Sequence, residues 1–237
     1  MAAKRTQMAL TPELAALVER TEPDPGPEPG TQDHSREDFE EMARQLLAQH
    51  RPEQLLVFAY GSLIWNPEFD IRSHARARVD GWHRSFCLRL TRWRGTRELP
   101  ALMMALDRGG SCAGVLYELD APDDHAQVVR LLEREIDAKP PTNVARWVPV
   151  KSERGPAIAL TFVADARGPA YAGRLPLEEV ASITARAAGH WGSSAAYLQR
   201  TVAKLEEHGI RDRNLWRLQR LVAEHILSAH PEQAVAR

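Results

Sequence analysis

The apolar residues of this chain follow two regimes. Between Leu55 and Leu119 they gather in short runs, at 55–60, 77–79, 86–90, 102–106 and 113–119, whose length and aliphatic character predict strands. Two later runs, 146–150 and 158–163, extend the set, and Gly109-Gly110 separates two of the runs as a hairpin turn would. Elsewhere the recurrence is helical. Thr11-Pro12-Glu13 supplies a hydroxyl cap, a proline at the first helical position and an acid in the first turn, so a short helix is expected to about Arg20. Ser35, with Asp38 three residues later, opens a second helix that carries Phe39, Met42, Ala43, Leu46 and Leu47 on one face. Further helices are expected after Pro122, Pro176, Ser193 and Asp212. Strands early and helices late predict an α+β fold rather than alternating βαβ units. The prolines and charges of residues 22–30 predict a mobile linker. Residues 1–34 are therefore expected as an extension with a short helix and a proline-rich linker, and 35–230 as the main domain.

Two places break these patterns in ways that suggest chemistry. Residues 55–58 have no polar interruption and read as a strand buried on both faces, although a short apolar run is also compatible with a helix. That strand runs through Tyr60 into Gly61 and Ser62. A glycine there lets main-chain N–H groups of Gly61, Ser62 and Leu63 approach a ligand, and the Ser62 hydroxyl both donates and accepts; the alternative is a tight turn over a buried Tyr60. In the helix after Pro122, Val128, Leu131, Leu132 and Ile136 define an apolar stripe, and Glu135 lies on it, while Arg130, Glu133, Arg134 and Asp137 point elsewhere. A carboxylate on a core face is desolvated, so it is paired, protonated, exposed by fraying, or used as a base with a raised pKa.

Composition narrows the function classes. With 237 residues, 43% of them hydrophobic, the chain buries a sizeable core, and a formal net charge of −1 gives no global steering toward nucleic acid or membrane. Eight arginines and one acid, Asp80, lie between Arg72 and Arg97, but on strands alternation divides them between faces, so no nucleic-acid surface is expected. Cys87 and Cys112 form no closely spaced pair and are expected to be reduced and buried. The nine histidines show no ligand spacing, and no phosphate-binding glycine motif occurs, so no metal or cofactor is expected. Residues 1–8 lack the apolar core of a secretory leader, and no window reaches the roughly 18 apolar residues of a membrane span. The expectation is a soluble, cytoplasmic, monomeric protein.

Tyr60-Gly61-Ser62-Leu63-Ile64-Trp65-Asn66-Pro67 closely resembles the signature of the ChaC-type gamma-glutamylcyclotransferases, with eight consecutive residues in agreement. The resemblance continues through residues 82–88, Arg94-Gly95-Thr96, residues 106–114 and Arg134-Glu135, and spans about residues 50–226. Departures are Ile136, where many members have methionine, and Ala101, where a glycine is commoner. The resemblance implies a small mixed β-barrel decorated by helices and a cofactor-free lyase that converts glutathione to 5-oxoproline and cysteinylglycine. It implies Glu135 as general acid/base, and Tyr60, Gly61, Ser62, Leu63, Arg94 and Tyr171 as substrate contacts. Arg94 would hold a substrate carboxylate; Arg84 matches too but reads equally as structural, and Tyr197 reads as packing. The rival readings are a cyclotransferase for other gamma-glutamyl amino acids or amines, and a non-catalytic ligand-binding member of the fold.

Overall fold

A computed structural model describes residues 7–120, 123–136 and 138–234. In chain order the elements are α1 (Pro12–Ala16), α2 (Arg36–Gln49), β1 (Leu56–Ala59), a 3-10 turn (Ser62–Ile64), β2 (Ile71–Leu90), β3 (Ala101–Leu119), α3 (Asp124–Glu135), β4 (Asn143–Ser152), β5 (Gly155–Ala164), α4 (Leu177–Thr184), the two-residue strands β6 (Ala188–Gly189) and β7 (Gly192–Ser193), α5 (Ser194–Glu207), α6 (Arg213–Ala229) and α7 (Pro231–Ala234). They fall into two compact units. One comprises residues 27–89 and 103–174, the other residues 1–26, 90–102 and 175–237. The helix expected after Pro122 begins at Asp124, capped by the Asp123 carboxylate; Pro122 itself, like the first six residues read for a leader, lies outside the described residues.

The first unit is built on a closed five-stranded barrel in the order β1-β3-β2-β4-β5, with β1 closing on β5. β1 is buried as its uninterrupted apolar run predicts, with Val57, Phe58 and Ala59 fully inaccessible. In the first half of β2, Ala75, Ala77 and Val79 face inward, while Arg76 and Arg78 alternate outward onto Glu153 and Asp80. The expected hairpin at Gly109-Gly110 does not form. β3 is one strand whose first half runs parallel to β5 (Leu106 opposite Val163) and whose second half runs antiparallel to β1, although β1 and β5 are themselves parallel. The reversal falls at Gly109 and Gly110, whose φ values of 97° and 68° bend a strand without breaking it, and β2 bends with it at Gly81, φ 83°. A short turn signal cannot distinguish a hairpin from a folded two-stranded ribbon. The α2 helix begins with the expected capping box between Ser35 and Asp38, buries Ala43 and Leu46, and packs on α3.

Gly114 shows why this barrel end tolerates no side chain. A Cβ there would meet the Ala59 carbonyl oxygen and lie 2.6 Å from Phe58 Cζ. Gly114→Ala is expected to cost about 1–3 kcal/mol, as overpacking of a tight core does. Denaturant midpoints check this, and an unchanged midpoint would mean that the Phe58 ring yields freely.

The second unit is helical. Residues expected as an appended extension belong to it: Leu10, Leu14 and Ala15 are buried, and the Leu10 N–H donates to Gln219 Oε1 of α6 at 2.8 Å. The first helix ends at Ala16 rather than near Arg20, and the chain continues to Glu19 in tighter turns. Glu19 then accepts from the Ser193 N–H at 2.8 Å and from its hydroxyl at 3.1 Å, at the start of α5. In the proline-rich stretch, Asp24 accepts two hydrogen bonds from Arg92, which hold its carboxyl down at about 2. Proline composition forbids a helix there but does not forbid anchoring by one ion pair.

Candidate active site

The end of β1 and the loop after it are held from three sides. Arg84, buried on β2, donates from Nε to the Tyr60 carbonyl at 2.7 Å and from Nη2 to the Ala113 carbonyl. The Thr161 hydroxyl of β5 donates to the Phe58 carbonyl at 2.9 Å, and the Tyr117 hydroxyl of β3 to that of Ile64 at 3.3 Å. Burial pushes the Tyr117 phenol up to about 12, so it remains a donor throughout the neutral range. Between these anchors Gly61 gives way to the 3-10 turn, whose opening residues Ser62 and Leu63 have no acceptor within the turn for their N–H groups. Tyr60 and Leu63 are buried; Ser62 is partly exposed.

Glu135 closes α3, one residue before the buried Ile136. The expected stripe is present: Val128, Leu131 and Leu132 are buried, and Arg130 and Glu133 are exposed. Asp137 lies outside the described residues. The Glu135 side chain is 15% exposed, and its Oε1 accepts from Arg134 Nε at 3.1 Å. Burial raises the carboxyl above the ordinary glutamate range; Arg134 opposes this in part, and Glu68 adds to it. Arg134 also reaches Glu68 at 2.9 Å, and Asn66 Nδ2 donates to Glu68 Oε1 at 2.7 Å. This chain of contacts ties the loop that begins at Tyr60 to the end of α3.

Register brings further groups to the same barrel end. β1 and β5 run parallel with Val57 opposite Leu160, so Tyr60 leaves β1 beside the end of β5. Leu106 lies opposite Val163, which puts Asp107 there, and Asn143 opposite Ala164 starts β4 there as well. Tyr171 bridges to Leu88 and packs on the Cys87, Leu88, Ala105 and Ala164 cluster. Its hydroxyl donates to Asp107 Oδ2 at 2.9 Å, and burial together with Asp107 pushes the phenol up to about 12. Burial likewise pushes the Cys87 thiol up to about 12, so it is no nucleophile at neutral pH; both cysteines are free and buried.

Arg94, expected as a substrate contact, is held by main-chain carbonyls. It belongs to the helical unit, where its buried Nη1 donates to the Trp191 carbonyl at 2.7 Å and the Ser193 carbonyl at 3.3 Å, and its guanidinium stacks over Tyr197. A buried guanidinium requires acceptors, and main-chain carbonyls supply them. Tyr197 is buried, as its helical spacing suggested. Sequence reasoning left Arg84 undecided and did not single out Asp107 or Thr161. Arg84 lies at an inward position of β2, which alternation alone could have flagged.

Among the described residues no group of three His, Cys, Asp or Glu side chains is placed to hold a metal ion, and no helix is long and apolar enough to cross a membrane. Known proteins resemble this chain. The glutathione-specific gamma-glutamylcyclotransferase of Escherichia coli is 34% identical over 168 residues, covering 70% of this chain and 72% of that protein. The human glutathione-specific gamma-glutamylcyclotransferase 1 is 30% identical over 152 residues, covering 63% and 68%. A crystal structure of a gamma-glutamyl cyclotransferase specific to glutathione from yeast superposes with a TM-score of 0.65 at 21% identity, over 73% of this chain and 97% of that one, which establishes the gamma-glutamylcyclotransferase fold. Residues 55–225 match the family model described as ChaC-like protein, and the chain belongs to that family.

Proposed function

We propose that this protein cleaves glutathione to 5-oxoproline and cysteinylglycine, with Glu135 as the general acid/base. The observation that carries the reading is a largely buried carboxylate with a raised pKa, tied through Arg134 and Glu68 to the loop that bears the Gly61, Ser62 and Leu63 amides. The named relatives, glutathione-specific cyclotransferases in bacteria and animals, supply the substrate class. The nucleophile is inside the substrate: the α-amine of the glutamyl group attacks its own side-chain amide carbonyl. A new N–C bond closes a five-membered lactam, an oxyanion forms on the former carbonyl, and its collapse breaks the C–N bond to cysteine. The substrate ammonium gives up two protons, and the departing nitrogen gains two as it leaves as an ammonium. Glu135 relays them and ends as it began. The N–H groups at the start of the 3-10 turn stabilise the oxyanion or hold the glutamyl carboxylate, which keeps the glutamyl chain in its folded, reactive conformation. A monomer in the reducing cytoplasm, where glutathione is abundant, completes the reading.

Purified protein incubated with glutathione and, separately, with gamma-glutamyl-alanine tests it, with 5-oxoproline and the second product quantified by mass spectrometry. Release of 5-oxoproline and cysteinylglycine from glutathione alone is the expected result. Turnover of the alanine peptide would widen the substrate class to other gamma-glutamyl compounds. Silence with both, alongside thermal stabilisation by glutathione, would leave a ligand-binding protein without catalysis.

A further inference from the structure

Asp107 is a buried carboxylate at the barrel end that carries the loop, and the mechanism above makes no use of it. Its two oxygens are differently engaged: Oδ1 accepts from the Arg108 N–H at 2.8 Å and Oδ2 from the Tyr171 hydroxyl at 2.9 Å. Among the described residues no lysine, arginine or histidine pairs with it. The nearest basic neighbour in sequence, Arg108, places its guanidinium over the Trp82 ring. A buried carboxylate with two neutral donors and no cation leaves its surroundings negative, and a cationic ligand complements that charge.

The hydrogen bond also fixes the polarity of Tyr171. A phenol has one O–H to donate, and here it is donated to Asp107. What the phenol oxygen has left are lone pairs, so toward a ligand it is an acceptor only. The substrate proposed above carries one cation, the glutamyl α-ammonium, and that group is rich in N–H donors. Resting on that reading, we propose that Asp107 is a positioning residue which, through Tyr171, selects substrates with a free α-amino group and holds one of its N–H bonds. Tyr171 touches the substrate; Asp107 acts through it. Holding one N–H fixes the nitrogen near the carbonyl it attacks once another proton has been drawn off by the base.

Asp107→Asn discriminates this from packing. The Arg108 N–H needs an oxygen acceptor and keeps the carboxamide oxygen, so the new NH2 group faces Tyr171. The phenol must then accept from the asparagine and turn its own proton toward the ligand, opposing an ammonium. Tyr171→Phe removes the oxygen while the ring stays in the Cys87, Leu88 and Ala105 cluster, and so serves where the asparagine variant fails to fold. Binding is measured by calorimetry in full-length Glu135→Gln protein, which holds substrate without turning it over. The two ligands are glutathione and glutaryl-cysteinylglycine, the same molecule without its amino group. The parent is expected to prefer glutathione by at least about tenfold, because a site built to bind an N–H group rejects the analogue that lacks it. Adding Asp107→Asn or Tyr171→Phe should bring the preference to near parity by weakening glutathione alone. A preference that survives both substitutions, or an equal loss of both ligands, would overturn the inference while leaving 5-oxoproline release by the wild type intact. No binding to the parent and no 5-oxoproline from the wild type would sink the inference and the underlying activity together.

Discussion

Glu135→Gln should abolish turnover and leave the fold intact. Removing a positioned general base lowers rates by about 10²–10⁴-fold, and the loss should appear in kcat, because the side chain keeps its shape and its hydrogen bond from Arg134. A glutamine oxygen still accepts from Arg134 Nε, so the link from α3 through Arg134 to Glu68 survives. The stability effect should be neutral or favourable. Burial raises the folded-state pKa of Glu135 above the ordinary value of 4.5, so the folded state holds this proton more tightly than the unfolded chain. The corresponding stability is fully present below the unfolded pKa and is lost as pH rises through the folded one. Above its folded-state pKa the folded protein bears a desolvated charge that glutamine lacks, and there the variant should melt at or above the wild-type temperature. Activity follows the same shift: the base must be ionised, so the acidic limb of kcat/KM should lie above the range of an exposed glutamate. Near wild-type kcat in the variant would end the assignment of Glu135 as the base.

Arg84→Leu should damage both stability and catalysis. The guanidinium is buried and bridges two main-chain carbonyls, Tyr60 at the mouth of the loop and Ala113 on β3. A leucine fills much of the volume and leaves both oxygens without this donor. Each unsatisfied buried acceptor costs about 1–3 kcal/mol, so a loss on the order of 3 kcal/mol is expected. In a chain of this size that corresponds to a melting temperature lower by roughly 6–12 °C. Because the Tyr60 carbonyl sits immediately before the amides of Gly61, Ser62 and Leu63, kcat/KM should fall further than the loss of folded protein explains. Arg84→Lys tests the geometry: one ammonium cannot reproduce the planar fork toward two acceptors, so it should recover part of the stability and less of the activity. Melting curves and kinetics on the same preparations decide it, and a leucine variant that melts with the wild type would show that other donors reach these carbonyls.

Much of this protein was legible in local sequence because the relevant physics is local. The Ser35-Asp38 capping box, the apolar run of β1 and the α3 stripe that carries Glu135 each depend on residues within a turn or two of one another. Periodicity places such residues on a face before any tertiary contact forms. The resemblance at Tyr60 to Pro67 also rests on a contiguous stretch. What only the tertiary structure decided depends on register between distant segments. Gly109-Gly110 became a bend rather than a hairpin because the two halves of β3 pair with β5 and β1. The N-terminal helix joined the helical unit because α5 and α6 offer it a face, which its own composition does not reveal. Arg84 and Arg94 both match the family, yet both proved to be buried and bonded to main-chain carbonyls, since a guanidinium takes whatever acceptors the fold brings to it. The pairing of Asp107 with Tyr171 joins residues 64 positions apart. No spacing rule links them, because their meeting is set by the bridge of Tyr171 to Leu88 of β2 rather than by either residue's sequence neighbours.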